Sequence, residues 1–471
     1  MDMQETQVEK RKQTKTLFME ALLSSWAAWT ALFVMVGVML SHGNPLISGA
    51  AVLIAAILGM NGLARTDMWL TSEGPGWWRK HKFLKIFHHI TDEGELAGIF
   101  VGVVALIVLF VVGEGSHLHF PYMEAFTLLG IMSAANIAVQ YMIPVMGVIE
   151  KFFGIRGVLI GGSLLSSLTG EPAASVFLAE YVKKRVNPED RPKVATGLAA
   201  TIGSGGGLMP FAAPPILIVY SILVSEFNWG IPTLIAFVGA GCVAHVITSS
   251  FWFAKYIKPN EDVHPKIDMK GVALLAMMAV VVLWHIFYPG LALWIFDGAL
   301  GITSWYLAHK KYKDCSEGLK EDAFTAKWQP IILAVLLVAL EIIGVIADPL
   351  IASLSHQIPA SFPPILIMFT LFFMTAWVSH FADNALASRV FIMVAVVLKG
   401  TFGMELGSLF AASVVMGALF GGFLLIPANL PNFYLARAFK VTPGAWVKVS
   451  WILYPSGIAY AVWMLMRYYM F

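Results

Sequence analysis

The chain reads as an all-α polytopic membrane protein built from two inverted repeats, with about 11 transmembrane helices plus two re-entrant hairpins. Three observations carry that reading. Hydrophobic residues make up 58% of 471 positions and charged residues only 13%, with a mean hydropathy of +0.75; soluble domains carry about 25% charged residues. Apolar runs long enough to cross the bilayer recur along the whole chain. Two of those runs are interrupted in the middle by an acid beside a proline or an asparagine, and each is followed by a Gly/Pro-broken span.

A crossing of about 30 Å of hydrocarbon takes roughly 20 residues. Spans are expected near 20–41, 45–64, 95–113, 122–148, 195–225, 230–256, 271–288, 290–308, 328–346, 405–434 and 448–468. The polar tail 1–19 has no signal-peptide pattern and is expected to be retained, ahead of a first helix at 20–44. The first repeat then covers 45–257 and the second 258–471. Basic clusters mark cytoplasmic loops: Lys10/Arg11/Lys12, Arg79/Lys80/Lys82/Lys85, Lys183/Lys184/Arg185, Lys255/Lys258, Lys310/Lys311/Lys313 and Arg437/Lys440. The short links SHGNP, EGSHLHFP, SEFNWG and YPG carry no Lys or Arg and face outward. The alternation closes only if runs 155–182 and 363–399 each leave on the side they entered, as hairpins. Segment 77–90, WWRKHKFLKIFHHI, spaces Phe83, Phe87 and Ile90 like an amphipathic interfacial helix, and 309–327 reads as a solvated cytoplasmic loop.

The interruptions are related to each other. LTGEPAAS (168–175) and FADNALAS (381–388) align on Ala174/Ala387 and Ser175/Ser388, which sets Glu171 opposite Asn384 and Gly170 opposite Asp383. Behind them, GGGLMPFAAPPI (205–216) and GGFLLIPANLPNF (421–433) match Pro210 and Pro214 with Pro427 and Pro431. Proline removes a backbone donor and clashes with the preceding turn, so it breaks a helix; glycine loosens it. Unwound backbone at membrane depth survives only against protein or a water-filled cavity. Paired interruptions in two inverted halves point to a transport site.

Glu171 and Asp383 would then meet at the hairpin tips. An ionisable group at mid-membrane costs about 2.5–3.5 kcal/mol on insertion scales and is usually functional. Such a carboxylate can hold a proton or a metal ion in exchange. Oxygen donors for a hard cation are Asn384, Thr169, Ser175, Ser388, Asn429 and Asn432, with backbone carbonyls around Gly205, Gly206 and Gly207 and around Gly421 and Gly422. Arg389 is a charge partner for Asp383 or another acid, or else an anion clamp. Glu124 and Glu341 are scaffold hydrogen-bonding residues or a proton path, and His245, His285 and Asp297 read as interhelical contacts.

The chain resembles the ion transporter superfamily. SHFADNALAS is similar to the Asp-Asn hairpin tip of D-type sodium/proton antiporters and arsenite carriers, and the likeness is greatest to a small bacterial branch of Na⁺/H⁺ antiporters. That resemblance implies an elevator-like motion of hairpins against a scaffold, a homodimer, and a multi-pass protein of the bacterial inner membrane with a cytoplasmic N-terminus. Its partners would be Na⁺ and H⁺ with the lipid bilayer. The better match of the second tip makes Asp383 the principal proton carrier. The first tip departs from the antiporter motif, and two acids differ from the Ser-Asn-Thr tips of dicarboxylate members. Exchange of a monovalent cation for protons is therefore expected, ahead of sodium-coupled organic-anion symport or arsenite-like export.

Other classes have little support. No P-loop, HExxH or GxSxG occurs, so ATP-driven transport and common hydrolase chemistry are not expected, nor is any cofactor. A membrane aspartyl protease would leave the paired Gly/Pro breaks unexplained. The net charge of +2 comes with short basic clusters between apolar runs, which argues against nucleic acid. Cys242 and Cys315 form no metal or disulfide pattern.

Overall fold

The computed structural model describes residues 26–41, 44–72, 95–112, 122–259 and 317–470, with isolated positions 269, 276, 280 and 283. Among the described residues the structure is helical, broken only by turns and one isolated bridge between Val186 and Ile257. Six described helices are long and apolar enough to cross a membrane: Ile231–Tyr256, Ala334–Ser355, Pro364–Phe381, Asn384–Phe402, Met404–Gly421 and Pro443–Met470. This is the helical, multi-pass character read from composition. Apart from the isolated positions 276, 280 and 283, the spans expected at 271–288 and 290–308, and segment 77–90, lie outside the described residues, as do the side chains of His285 and Asp297.

The helices fall into two compact units. The first comprises residues within Met1–Phe120 together with Val338–Leu350. It contains α1 (Trp26–Leu40), α2 (Pro45–Ser72) and α3 (Glu95–Val111). Asn44 starts α2 by accepting the Leu46 amide at 2.9 Å, with Pro45 at the first helical position. Small residues let the backbones close up: a Cβ on Gly49 would lie 3.1 Å from the Ile346 carbonyl, and one on Gly102 2.5 Å from the Ala339 Cβ. Without a hydrophobic force between helices in lipid, such close approach supplies the packing. Phe33, Ile54, Ile107 and Phe110 stay on the outer surface.

The second unit comprises Pro121–Leu337 and Ile351–Phe471. Its first half runs through α4 (Tyr122–Thr169), α5 (Glu171–Val182), α6 (Arg191–Gly206), α7 (Pro214–Phe227) and α8 (Ile231–Tyr256). Helix α4 is bent at Gly154, whose φ of 65° and ψ of −173° lie outside the helical region. The bend separates the expected span 122–148 from the first arm of the first hairpin.

Helix α9 (Glu317–Ser355) starts earlier than expected and runs through both units. The expected loop 309–327 is therefore helical from Glu317 onward. Residues 317–327 are rich in Glu, Lys and Ala, strong helix formers whose polarity alone suggested a loop. The second half continues with α10 (Pro364–Phe381), α11 (Asn384–Phe402), α12 (Met404–Gly421) and α13 (Leu430–Phe439). Helices α14 (Pro443–Leu453) and α15 (Ile458–Met470) close the chain around a 3₁₀ turn at Tyr454–Gly457.

The same order occurs twice: arm, tip, arm, helix, break, helix. Packing then exchanges the ends. Helix α13, after the second break, packs on α5 and α6 of the first half, and α7, after the first break, packs on α11 and α12 of the second. The predicted prolines sit where the pattern put them, Pro210 and Pro427 inside the breaks and Pro214 and Pro431 in the first turns of the helices that follow.

Candidate functional site

Each tip is shaped by local chemistry. At the first, Gly170 has φ 79°, a left-handed conformation that a side chain would strain. The chain turns there so that Glu171 becomes the first residue of α5, with Pro172 in the first turn, where a missing amide proton is harmless. The Glu171 amide donates to the Ala212 carbonyl at 3.1 Å, which ties the tip to the break of its own half. At the second tip, Asp383 is the N-cap of α11 and its Oδ1 accepts the Ala385 amide at 2.7 Å. Asn384 opens α11 as Glu171 opens α5, so the alignment of the two octets holds in three dimensions.

These residues converge. Glu171 is fully buried, and its Oε2 accepts a hydrogen bond from Asn429 Nδ2 at 2.8 Å. Asn429 is the N-cap of α13. A Cβ on Gly422 would lie 3.0 Å from Asn384 Nδ2 and 3.5 Å from Asn429 Nδ2, so both amides border the second break. A Cβ on Gly206 would lie 2.9 Å from Glu171 Cγ and 3.0 Å from its Oε1. Both tips and both breaks thus meet around one buried carboxylate.

The polar inventory there is incomplete. Among the described residues, Glu171 Oε1, both amide atoms of Asn384 and Ser388 Oγ are buried with no hydrogen-bond partner, as is Asn432 Oδ1. Buried polar atoms are almost always paired, and of these orphans Asn384 lies beside Gly422, as does Asn429, the partner of Glu171. Three other predicted side chains donate their protons within the protein, which leaves their oxygens able to accept. Ser175 Oγ donates to the Pro172 carbonyl at 2.6 Å and Thr169 Oγ1 to the Leu165 carbonyl at 3.1 Å, both within their own turns. Asn432 Nδ2 donates to the carbonyls of Gly422 and Leu425 at 2.6 and 2.8 Å.

The second break also answers the backbone problem that unwinding creates. His380 Nδ1 donates to the Gly421 carbonyl at 2.7 Å, Trp446 Nε1 to Phe423 at 2.9 Å and Ser450 Oγ to Leu424 at 2.7 Å. With Asn432 on Gly422 and Leu425, five successive carbonyls are satisfied by side chains. The first break is closed by tight backbone turns, with the amides of Gly207, Leu208 and Met209 bonded to carbonyls three residues back. The carbonyls of Gly205, Gly206, Gly421 and Gly422 therefore each accept a hydrogen bond within the protein.

The glycines have a different reason from the one the sequence suggested. A Cβ on Gly205 would lie 1.9 Å from the Ser163 carbonyl, and one on Gly421 2.3 Å from that of Ala376. Each lets the helix before a break press against the first arm of its own hairpin. Ser163 and Ser166 reinforce the first contact through Thr201 Oγ1 at 2.9 Å and the Ile202 carbonyl at 3.0 Å.

Behind the first break lies a buried polar knot. His245 lies 2.6 Å from Ser204 Oγ through Nδ1 and 2.8 Å from Ser456 Oγ through Nε2. Tyr460 donates to Ser204 at 2.8 Å, its hydroxyl lies 3.7 Å from Cys242 Sγ, and its ring stacks on His245 with centroids 5.0 Å apart. The sequence reading of His245 as an interhelical contact fits; Tyr460 gave no signal, because one tyrosine in a terminal helix looks like an interface anchor.

Arg389 is buried on α11, close behind the second tip. The side chain of Glu124 lies outside the described residues, and Glu341 belongs to the first unit. Among the described residues no group of three His, Cys, Asp or Glu is arranged to hold a metal ion. The site instead offers one carboxylate with neutral oxygen donors. No protein-family model matches the chain, and no curated protein matches it.

Proposed function

We propose that the protein is a secondary transporter exchanging a monovalent cation, Na⁺ first, for protons at the meeting point of the two hairpin tips. The observation that carries this is the bare Oε1 of the fully buried Glu171, whose partner Asn429 borders Gly422 together with the unpartnered Asn384 amide. A carboxylate so buried is costly as an isolated anion and is neutralised by a proton or a bound cation. With side-chain amides near it, the same group serves both as a hard-cation ligand and as a proton carrier. Each occupant excludes the other, which is the requirement for antiport.

The capping role of Asp383 shifts the expected burden. Its Oδ1 is held by the Ala385 amide and its side chain is partly exposed. We take Glu171 as the principal carrier and Asp383 as the group that fixes the second tip and adds negative charge. The repeated element order and the exchanged packing of α7 and α13 support two inverted repeats, an elevator-like motion and the architecture of 11 spans with two hairpins. In that scheme the first hairpin is re-entrant, since α5 has 12 residues and is too short to cross. The arms of the second have 18 and 19 residues and are each long enough. A bacterial inner-membrane homodimer with a cytoplasmic N-terminus belongs to the same reading. The organic-anion alternative rests on Arg389, a buried guanidinium close behind the second tip.

The test is dequenching of an internal pH dye in proteoliposomes challenged in turn with Na⁺, Li⁺ and K⁺. Glu171→Gln should abolish exchange, because an amide can ligate a cation but cannot release a proton. Asp383→Asn should weaken cation affinity. Exchange should also slow at low pH, where protons hold the carboxylate against the cation. A well-expressed Glu171→Gln/Asp383→Asn protein that exchanges at the unmutated rate would end the proposal.

A further inference from the structure

The bend in α4 sits among exposed aromatic rings and basic side chains that play no part in the transport site. Around Gly154 the sequence is Lys151-Phe152-Phe153-Gly154-Ile155-Arg156. Phe152 and Phe153 are 72% and 73% exposed, the setting of rings dipped into a lipid interface rather than packed in a core. The Arg156 guanidinium lies 4.9 Å above the ring of Phe251, itself half exposed on α8. One turn further along α8, the Lys255 ammonium lies 5.0 Å from the Tyr256 ring and 5.9 Å from that of Trp252.

Three nearby cations are paired with acids, two of them while also lying over rings. Arg185 is paired with Glu150 at 2.7 Å, Lys193 with Asp190 at 2.7 Å, and Lys183 with Glu180. Arg156 and Lys255 have aromatic faces as neighbours and no acid among the described residues. A ring face holds a cation in place without consuming its N–H donors. Two oriented cations with open donors, bordered by exposed phenylalanines, suit an anionic headgroup whose acyl chains cover the rings.

We propose that this surface binds the headgroup of an anionic phospholipid, with Arg156 and Lys255 on the phosphate and Phe152 and Phe153 among the acyl chains. The occupant would brace the bend at Gly154, from which the first arm runs to the Gly170 tip. A free phosphate satisfies the cations but leaves the rings in water, which is why the lipid is favoured. The inference rests on the membrane reading and not on antiport.

The experiment is native mass spectrometry of the full-length protein titrated with dioleoylphosphatidylglycerol or dioleoylphosphatidylcholine, with no ion gradient present. The protein should retain phosphatidylglycerol in preference. A basic residue near an anionic surface adds about fivefold, so Arg156→Gln/Lys255→Gln should lose roughly 25-fold of that preference. Arg156→Lys/Lys255→Arg should keep most of it, which separates charge from folding. Phe152→Ser/Phe153→Ser should weaken both lipids alike. Equal retention of the two lipids, an unchanged preference in the Gln pair, or displacement of phosphatidylglycerol by millimolar inorganic phosphate would each overturn the proposal. Loss of exchange in vesicles would leave it untouched.

Discussion

Gly206→Ala tests the geometry of the site without removing any titrating group. The new methyl would stand 2.9 Å from Glu171 Cγ, 3.0 Å from Oε1 and 3.3 Å from the Ala213 Cβ. Carbon atoms rest at about 3.5–4.0 Å, so the glutamate must retreat by roughly 0.6–1 Å. It has little freedom to do so, because its amide is bonded to Ala212 and its Oε2 to Asn429. Overpacking of this kind costs about 1–3 kcal/mol. If that strain falls on the cation-bound state, apparent affinity drops by roughly 5- to 150-fold at 1.4 kcal/mol per decade. The assay is the Na⁺ concentration giving half-maximal dequenching, alongside thermal unfolding in detergent. Gly400→Ala is the control, since a Cβ there meets nothing within 4 Å. An unchanged half-maximal concentration in Gly206→Ala, with normal yield, would show that the Glu171 carboxylate is not the ion's seat.

How far the site could be read in advance depended on whether each signal was local. Pro210, Pro214, Pro427 and Pro431 announce the breaks because proline acts on its own turn, and both breaks formed there. The tips were legible for the same reason, since Gly170 and Asp383 each begin an arm. The capping role of Asp383 was also local: an Asp two residues before Ala385, ahead of an apolar run, is an N-cap pattern. The family likeness of that tip drew attention to its charge instead. What stayed hidden came from elsewhere in the chain. Trp446 and Ser450 satisfy carbonyls more than 20 residues away, so neither reads as part of a break. The bond from Asn429 to Glu171 spans 258 positions, and only the exchange of α13 into the first half brings it about. The glycines misled in cause though not in place, because Gly205 and Gly421 reflect backbone contact with another helix, which no local pattern encodes.

Two predictions remain. Arg389→Lys should retain exchange and Arg389→Ala should lower protein yield, since removing one buried charge leaves its surroundings uncompensated; selective loss of organic-acid uptake at normal yield would favour the anion reading instead. The last concerns His245, whose loss would remove the bridge between Ser204 and Ser456 behind the first break. Ser204 keeps its bonds to Tyr460 and to the Ala200 carbonyl, so the cost of His245→Ala is chiefly the buried cavity, about 2–5 kcal/mol. Ser204 precedes Gly205–Gly207, and Gly206 abuts Glu171, so slack in the knot should reach the carboxylate. Thermal unfolding in detergent should fall clearly, and half-maximal Na⁺ should rise in whatever protein survives. Ser456→Ala removes the outer bond alone and should give a smaller loss of stability with near-normal affinity. If His245→Ala unfolds at the unmutated temperature, the knot does not brace the break, and the position of Glu171 must be held by Ala212 and Asn429 alone.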